Sequence, residues 1–228
     1  MSSAVSRALD LILTGDPELL NILSTTARMS LASSLIALVI GVPLGILLGA
    51  SEFRGKSIII AADRTLMGMP PVVCGLIFYL LFSGVGPFGS LKMLFTVRIM
   101  VLAQVVLITP LVIGMTESFV SAVAAPVRET AKGLGLRRGK TLLLLANESV
   151  YQIISTYLLA FARAIAEVGA VSMVGGAIAW KTNVMTTAIM QYTNRGDFSL
   201  GIALGLILLA ASLILNLVMT IVQRRLVK

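Results

Sequence analysis

The chain is organised around the stretch Ala125–Val150, APVRETAKGLGLRRGKTLLLLANESV, which separates two long apolar runs. It is the most basic segment of the sequence, and its cationic residues are Arg128, Lys132, Arg137, Arg138 and Lys140. Positive residues resist translocation, so a basic loop between two membrane spans is predicted to face the cytoplasm. Such a loop is a natural contact point for a cytosolic partner.

The local pattern of this loop predicts two short helices joined by a turn. Pro126 suits a first helical position, where its missing N–H costs nothing, and Glu129 complements the positive end of the helix dipole. Gly133 and Gly135 supply the backbone freedom that ends the first helix. A second helix, with an apolar face, is predicted from about 141 to 146.

Composition identifies an integral membrane protein. Of the 228 residues, 57% are hydrophobic and only 12% are charged, about half the share usual in globular proteins. The net charge of +8 is spread over loops between apolar runs, so it indicates membrane orientation rather than nucleic-acid binding. The chain has no histidine, which excludes histidine relays, histidine–metal sites and Ser-His-Asp catalysis. The single Cys74 lies in an apolar run and is predicted to be a small buried hydrophobe.

Five apolar runs are long enough to cross about 30 Å of hydrocarbon as helices. They cover roughly residues 29–50, 57–82, 97–123, 150–173 and 200–222. The fold class is therefore all-α and polytopic, with residues 1–28 forming an interfacial helix ahead of a transmembrane domain at 29–228 and its loop at 125–149. Asp16, Pro17 and Glu18 give a strong helix start within the first segment.

Small residues and breaks distinguish individual spans. Gly41, Gly45 and Gly49 recur every four residues in the first span and predict close helix packing, as do Gly201 and Gly205 in the fifth. Pro70 and Pro71 interrupt the second span, and broken helices are tolerated in membranes where they line a cavity or are covered by protein.

Ionisable residues within the spans have two interpretations. Asp63 and Arg64 near one end of the second span either pair or snorkel, or they belong to a gate. Arg163 and Glu167, four residues apart in the fourth span, are predicted to share a helix face. They form either an internal ion pair that orders the helix or part of a translocation pathway, and the two roles are compatible.

Orientation follows from counting basic residues in alternate loops. The side that carries the 125–149 loop and the C-terminal tail has ten Lys and Arg residues, against six at most on the other. The N-terminus is therefore predicted outside and the C-terminus in the cytoplasm of a cell membrane.

A phosphate-binding loop is a rival interpretation of residues 135–141, but it fails. The spacing from Gly135 to Gly139-Lys140-Thr141 is one residue short, and Leu134 stands where the motif needs glycine. The motif also needs a preceding buried strand, whereas a membrane span precedes this segment. The chain is therefore not expected to hydrolyse ATP.

Glu129-Thr130-Ala131, three further residues and Gly135 resemble the EAA motif of permease subunits of ATP-binding-cassette importers. Leu145 stands where the motif has isoleucine, while Asn147 and Glu148 replace its Leu-Pro. The resemblance implies a type I importer permease fold in which this loop docks on a separate ATPase subunit. It assigns ATPase coupling to Glu129, Thr130, Ala131, Gly133 and Gly135.

A second resemblance covers most of the chain. Residues 161–170, with Met173-Val-Gly-Gly, resemble permeases of the molybdate, tungstate and sulfate group. The segments 15–18, 66–71, 186–189 and 195–198 are most similar to tungstate permeases. The resemblance implies a homodimer that binds two cytosolic ATPases and an extracytoplasmic substrate-binding protein, and that imports an oxyanion along a pathway including Pro70, Pro71, Arg163 and Glu167.

The resemblance implies no cofactor or metal in this chain, since the partner subunit binds ATP. Molybdate and sulfate permeases are alternatives within the same class. A secondary transporter or channel that works without ATP is the alternative from another class, but proton-coupled transporters usually need buried carboxylates or histidines as relays. A membrane enzyme is a third alternative, and no catalytic constellation supports it.

Overall fold

The structure is a computed structural model, and it describes residues 2–226. These residues form ten α-helices and one 3-10 turn at Gly89–Leu91, with no strand among them. The helices are α1 (Ser2–Leu13), α2 (Pro17–Gly49), α3 (Lys56–Met67), α4 (Pro71–Phe82), α5 (Val97–Gly133), α6 (Arg138–Glu148), α7 (Val150–Ala166), α8 (Gly169–Gly175), α9 (Met185–Asn194) and α10 (Phe198–Leu226).

Three of these helices, α2, α5 and α10, are long and apolar enough to cross a membrane. Two bent pairs bring the number of possible crossings to five, because α3 and α4 meet at 93° and α6 and α7 meet at 62°. The predicted all-α fold with multiple apolar spans is confirmed. Of the second pair, only α7 corresponds to the predicted fourth span, since α6 belongs to the loop.

The pair α2 and α5 forms the centre of the fold. The two helices run parallel, since Gly41, Gly45 and Gly49 pack in register on Val112, Thr116 and Val120. A Cβ atom added at Gly45 would lie 2.6 Å from the Thr116 Cβ, a distance that real side chains do not reach. The predicted glycine face is therefore confirmed, and its partner is α5.

Replacing Gly45 by isoleucine is expected to lower the free energy of unfolding by about 1–3 kcal/mol, because the side chain would push α2 and α5 apart. The matched control is Gly205→Ile in α10, where an added Cβ would meet no atom within 4 Å. Thermal unfolding of the purified chain in detergent measures both changes. Equal losses in the two variants would show that the glycine contact does not decide stability.

The second predicted glycine pair is only half confirmed. At Gly201 an added Cβ would lie 2.7 Å from the Thr193 Oγ1 atom of α9, so this glycine permits close packing of α9 on α10. Gly205 has open space at the same position. A repeat of small residues thus predicts a packing face, but only one of the two positions makes a close contact here.

The N-terminal region differs from the prediction. Asp16 caps α2 by accepting a hydrogen bond from the Leu19 N–H at 2.8 Å, as the sequence indicated. However, α2 does not end near residue 28; it continues to Gly49 and passes through Pro43. The predicted boundary between 28 and 29 is therefore wrong, because the first span and the segment before it are one helix.

The first helix packs on the protein. Ala4 and Ala8 of α1 are buried, and Ala8 joins a core cluster with residues of α2, α9 and α10. Arg7 forms an exposed ion pair with Asp197 at 3.2 Å, just ahead of α10. Nearby, burial and a hydrogen bond donated to the Glu18 carboxylate raise the pKa of Tyr192. The interfacial position of α1 stays a prediction.

Candidate functional site

The basic loop is built from the end of α5, a turn and α6. Contrary to prediction, no helix begins at Pro126: α5 passes through it and ends at Gly133, so Glu129 lies in the last turns of a long helix. Gly135 follows with φ of +64°, and the Leu136 N–H donates to the Ala131 carbonyl at 2.9 Å. The predicted turn at Gly135 is confirmed, because glycine adopts this conformation without steric cost, whereas its assignment to ATPase coupling stays a prediction.

The residues assigned to coupling divide between an inner and an outer face. Ala131 is 2% exposed and packs inside the protein. Glu129 and Thr130 are exposed, and the Thr130 hydroxyl donates to the Pro126 carbonyl at 3.1 Å. Gly133 and Gly135 border open space. The exposed side of this segment is thus open to a partner, while Ala131 holds it against the fold.

The loop is firmly joined to the central helix pair. Leu145 of α6 is 1% exposed and packs with Val120 and Ala124 of α5. The Arg128 guanidinium donates to the Ala50 carbonyl at 2.6 Å, where α2 ends. These contacts satisfy a carbonyl that the helix end leaves open, and they connect any displacement of the loop to α2 and α5.

The end of α6 has its own geometry in the absence of the Leu-Pro of the motif. Asn147 and Glu148 are exposed and complete α6, and Ser149 forms the 62° bend into α7. The Ser149 N–H donates to the Leu145 carbonyl at 3.1 Å. The bend therefore occurs at a buried serine, without a proline.

The second span is broken as predicted. Pro70 has an extended backbone, with φ −61° and ψ 127°, and Pro71 is the first residue of α4. Neither proline has an N–H to continue the hydrogen bonding of α3, so the chain turns by 93°. At the surface of this chain Pro70 is exposed and Pro71 is half-buried.

The fourth span is also broken, and here the prediction is wrong. Helix α7 ends at Ala166, and Glu167 has an extended backbone with ψ of 132°. Its carboxylate accepts a hydrogen bond from the Ala170 N–H at 3.1 Å, and its carbonyl accepts one from the Thr186 hydroxyl at 2.8 Å. Arg163 and Glu167 therefore do not share a helix face, and within residues 2–226 they form no ion pair.

The breaks in the second and fourth spans pack against each other. A Cβ added at Gly169 would lie 2.9 Å from the Val72 Cγ2 atom, and one added at Gly75 would lie 2.8 Å from the Ala170 Cα atom. Pro70, Pro71 and Glu167 thus border one junction between α4 and α8. Arg163 lies one turn earlier on an exposed face of α7. Cys74 is 2% exposed beside this junction, as predicted.

Two acids in the described part of the chain are buried: Glu117, and Asp63, which forms no ion pair with Arg64 and does not extend into solvent as snorkelling would require. Asp63 is 8% and Glu117 is 6% exposed, and Glu117 accepts a hydrogen bond from the Ser121 hydroxyl at 2.9 Å. Gly114 makes room for Asp63, because an added Cβ there would lie 2.7 Å from the Asp63 Oδ2 atom. In the sequence, the only signal of the close approach of Asp63 to α5 was Gly114, three residues before Glu117. Among the described residues no cluster of His, Cys, Asp or Glu is suited to a metal ion.

Part of the segment that precedes α10 is buried in the protein, so the segment is not simply an exposed surface loop. The short helix α9 begins at Met185, and residues 182–188 are all buried. The Met185 N–H donates to the Thr26 hydroxyl of α2 at 2.9 Å. In the sequence, this burial was indicated by Thr182, Asn183, Thr186 and Thr187, since such side chains can satisfy buried backbone groups.

Broken apolar helices are typical of membrane transport proteins, in which they border the substrate path. The sequence pattern of the inner membrane components of binding-protein-dependent transport systems matches residues 41–228. This match covers most of the chain, so the chain belongs to that family.

Relatives cover almost the whole sequence. The tungstate uptake system permease protein TupB of Peptoclostridium acidaminophilum is 34% identical over 95% of both chains. TupB of Campylobacter jejuni is 36% identical over 93% of this chain and 89% of its own. A probable anion ABC transporter permease of Haloferax volcanii is 37% identical over 89% of this chain and 90% of its own.

A solved structure supports the fold. A chain of the MetNI methionine ABC transporter in an inward-facing conformation superposes with a TM-score of 0.69. The match covers 92% of this chain and 94% of that one at 18% identity. The predicted fold of a type I importer permease is thereby confirmed.

Proposed function

We propose that this chain is the membrane-spanning subunit of an ATP-driven importer of tungstate. The observation that carries the proposal is the similarity, over nearly the full length, to two tungstate uptake permeases at 34% and 36% identity. Molybdate or sulfate is the alternative substrate, since relatives named for those anions match less closely. Family membership disfavours a transporter that works without ATP.

Two copies of the chain form the pathway, and an ATPase subunit docks on each basic loop. The exposed Glu129 and Thr130 support this docking face, because Ala131 and Leu145 hold the other side of the loop against the fold. A binding protein delivers the anion at the opposite surface, where the N-terminus lies; the excess of basic residues in the loop and tail supports this orientation. ATP and loaded binding protein favour different states of the permease, and this difference drives transport.

The loop passes force through Arg128 and Leu145 into α2 and α5. The glycine-packed pair of α2 and α5 moves as one unit, because close-packed cores resist gradual deformation. The junction between α4 and α8 lies beside it, so rotation of the central pair changes the path at the breaks. No step of ATP chemistry belongs to this chain.

Uptake by the complete transporter in proteoliposomes tests the proposal. Tungstate is expected to accumulate only with internal ATP and external binding protein, and excess molybdate or sulfate should compete weakly. Accumulation without ATP would overturn the transporter class. Faster accumulation of molybdate or sulfate than of tungstate would overturn the substrate and leave the class intact.

A further inference from the structure

Two adjoining clefts lie where α2 ends against α3 and the basic loop. The larger has a volume of about 710 Å³ and is lined mainly by apolar side chains of α2, α3 and α5, including Leu44, Leu47, Ile59 and Leu66, with the carboxylate of Asp63 among them. This volume lies within the roughly 300–1,000 Å³ typical of ligand pockets. The four side chains are each between 46% and 49% exposed, so the cleft opens at the surface of the chain.

The smaller cleft, of about 390 Å³, is polar and cationic. Its lining includes Arg128, Arg138, Ser51 and Thr141. Ser51, Glu52 and Arg138 border both clefts, so the polar and apolar spaces are continuous. The combined site is polar at one end and mainly apolar over the rest of its length, which matches the polar head and apolar chain of an amphiphile.

The charges at the polar end favour an anion. Glu52 is an acid on this rim, and it pairs with Lys56 at 3.2 Å. Arg138 has only a long contact, 3.5 Å, to the Ser51 hydroxyl, and Arg128 uses one N–H for the Ala50 carbonyl. A guanidinium has five N–H donors in a fork that matches phosphate oxygens, so both arginines retain donors for a ligand.

The position of the site in the membrane matches one leaflet. Leu44 and Leu47 precede the end of α2 at Gly49 by a few residues, or roughly 3–8 Å along the helix axis. With the end of α2 at the membrane surface, the apolar cleft would lie at acyl-chain depth and the arginines at headgroup depth. Basic pockets between membrane helices on the cytoplasmic side bind anionic lipid headgroups.

We propose that these clefts bind an anionic phospholipid of the cytoplasmic leaflet, with its phosphate at Arg128 and Arg138 and an acyl chain along Leu44, Leu47 and Leu66. The lipid would join the end of α2 to the start of α6, and therefore support the loop that the proposed function assigns to the ATPase. The inference relies on the proposed function only for the side of the membrane on which the loop lies.

Native mass spectrometry of the purified full chain, titrated with phosphatidylglycerol or phosphatidylcholine, measures binding without nucleotide or oxyanion. Phosphatidylglycerol is expected to bind more tightly. Arg138→Gln should weaken its binding about fivefold, the effect of one cation near a headgroup. The matched control Arg137→Gln should not, because Arg137 is the neighbouring residue and is also exposed but borders neither cleft.

The apolar cleft is tested with Leu47→Trp, which fills it and should weaken binding of phosphatidylglycerol. The control Val39→Trp also places tryptophan on an exposed face of α2, away from the cleft. Equal binding of both lipids by the native chain, or equal effects of each variant and its control, would overturn the proposal. So would a disulfide between copies of Leu47→Cys in a Cys74→Ala background, since a second copy would then occupy the cleft. None of these outcomes depends on tungstate uptake.

Discussion

Replacing Arg163 by glutamine is expected to reduce tungstate uptake by about 10- to 100-fold, with little change in the amount of folded protein. A hydrogen bond to a charged group contributes roughly 1.5–3 kcal/mol, which corresponds to that range. An oxyanion that leaves water for a low-dielectric path needs compensating charge along it. Initial rates of uptake by reconstituted transporters measure the loss.

The position of Arg163 supports this expectation. Its side chain is exposed on α7, and the structure gives it no ion-pair partner among residues 2–226. An unpaired arginine in contact with lipid at membrane depth is costly, so such residues face water or protein. The exposed face of α7 is therefore expected to border the pathway or the second copy of the chain.

Two variants separate charge from structure. Arg163→Lys keeps the charge and should retain part of the uptake, although it loses the planar fork. Arg98→Gln removes another exposed arginine, near the start of α5, and should change uptake little. Uptake by Arg163→Gln at the native rate would exclude this residue from the pathway.

Replacing Glu167 is expected to have a different effect from removing one partner of an ion pair. Its carboxylate caps α8, and a glutamine side-chain oxygen can accept the same bond from the Ala170 N–H. Glu167→Gln should therefore leave folding and uptake nearly unchanged, whereas Glu167→Leu should destabilise the junction of α4 and α8.

Replacing Gly135 by valine is expected to abolish most of the stimulation of ATP hydrolysis by loaded binding protein. A left-handed backbone costs a residue with a side chain roughly 1–2 kcal/mol, and more when the side chain is β-branched. Such a cost lowers the population of the correct turn by about 5- to 30-fold. ATPase assays of the assembled transporter measure it, and membrane insertion should be unaffected.

Two controls assign the effect to the backbone. Gly139→Val adds the same side chain in the same loop, where no atom lies within 4 Å and φ is not positive. Gly135→Asn should restore much of the stimulation, because asparagine tolerates the left-handed region. Normal stimulation in Gly135→Val would count against this loop as the docking element, and no rescue by asparagine would indicate a direct contact instead.

The sequence by itself determined the class of fold and the local turns. A backbone in hydrocarbon must satisfy its own hydrogen bonds, so long apolar runs become helices whatever surrounds them. The cap at Asp16, the break at Pro70 and the turn at Gly135 are equally local, because they depend on the backbone preferences of one or two residues.

Only the tertiary structure decided where helices continue or stop against local preference. Helix α5 passes through Pro126 because Ala124 and Ala131, on either side of it, are buried against the rest of the fold. The fourth span stops at Glu167 because α8 packs on α4 through Gly169 and Ala170. Spacing places two residues on one face only while the helix continues, and contacts between distant segments decide that continuation, so Arg163 and Glu167 are separated.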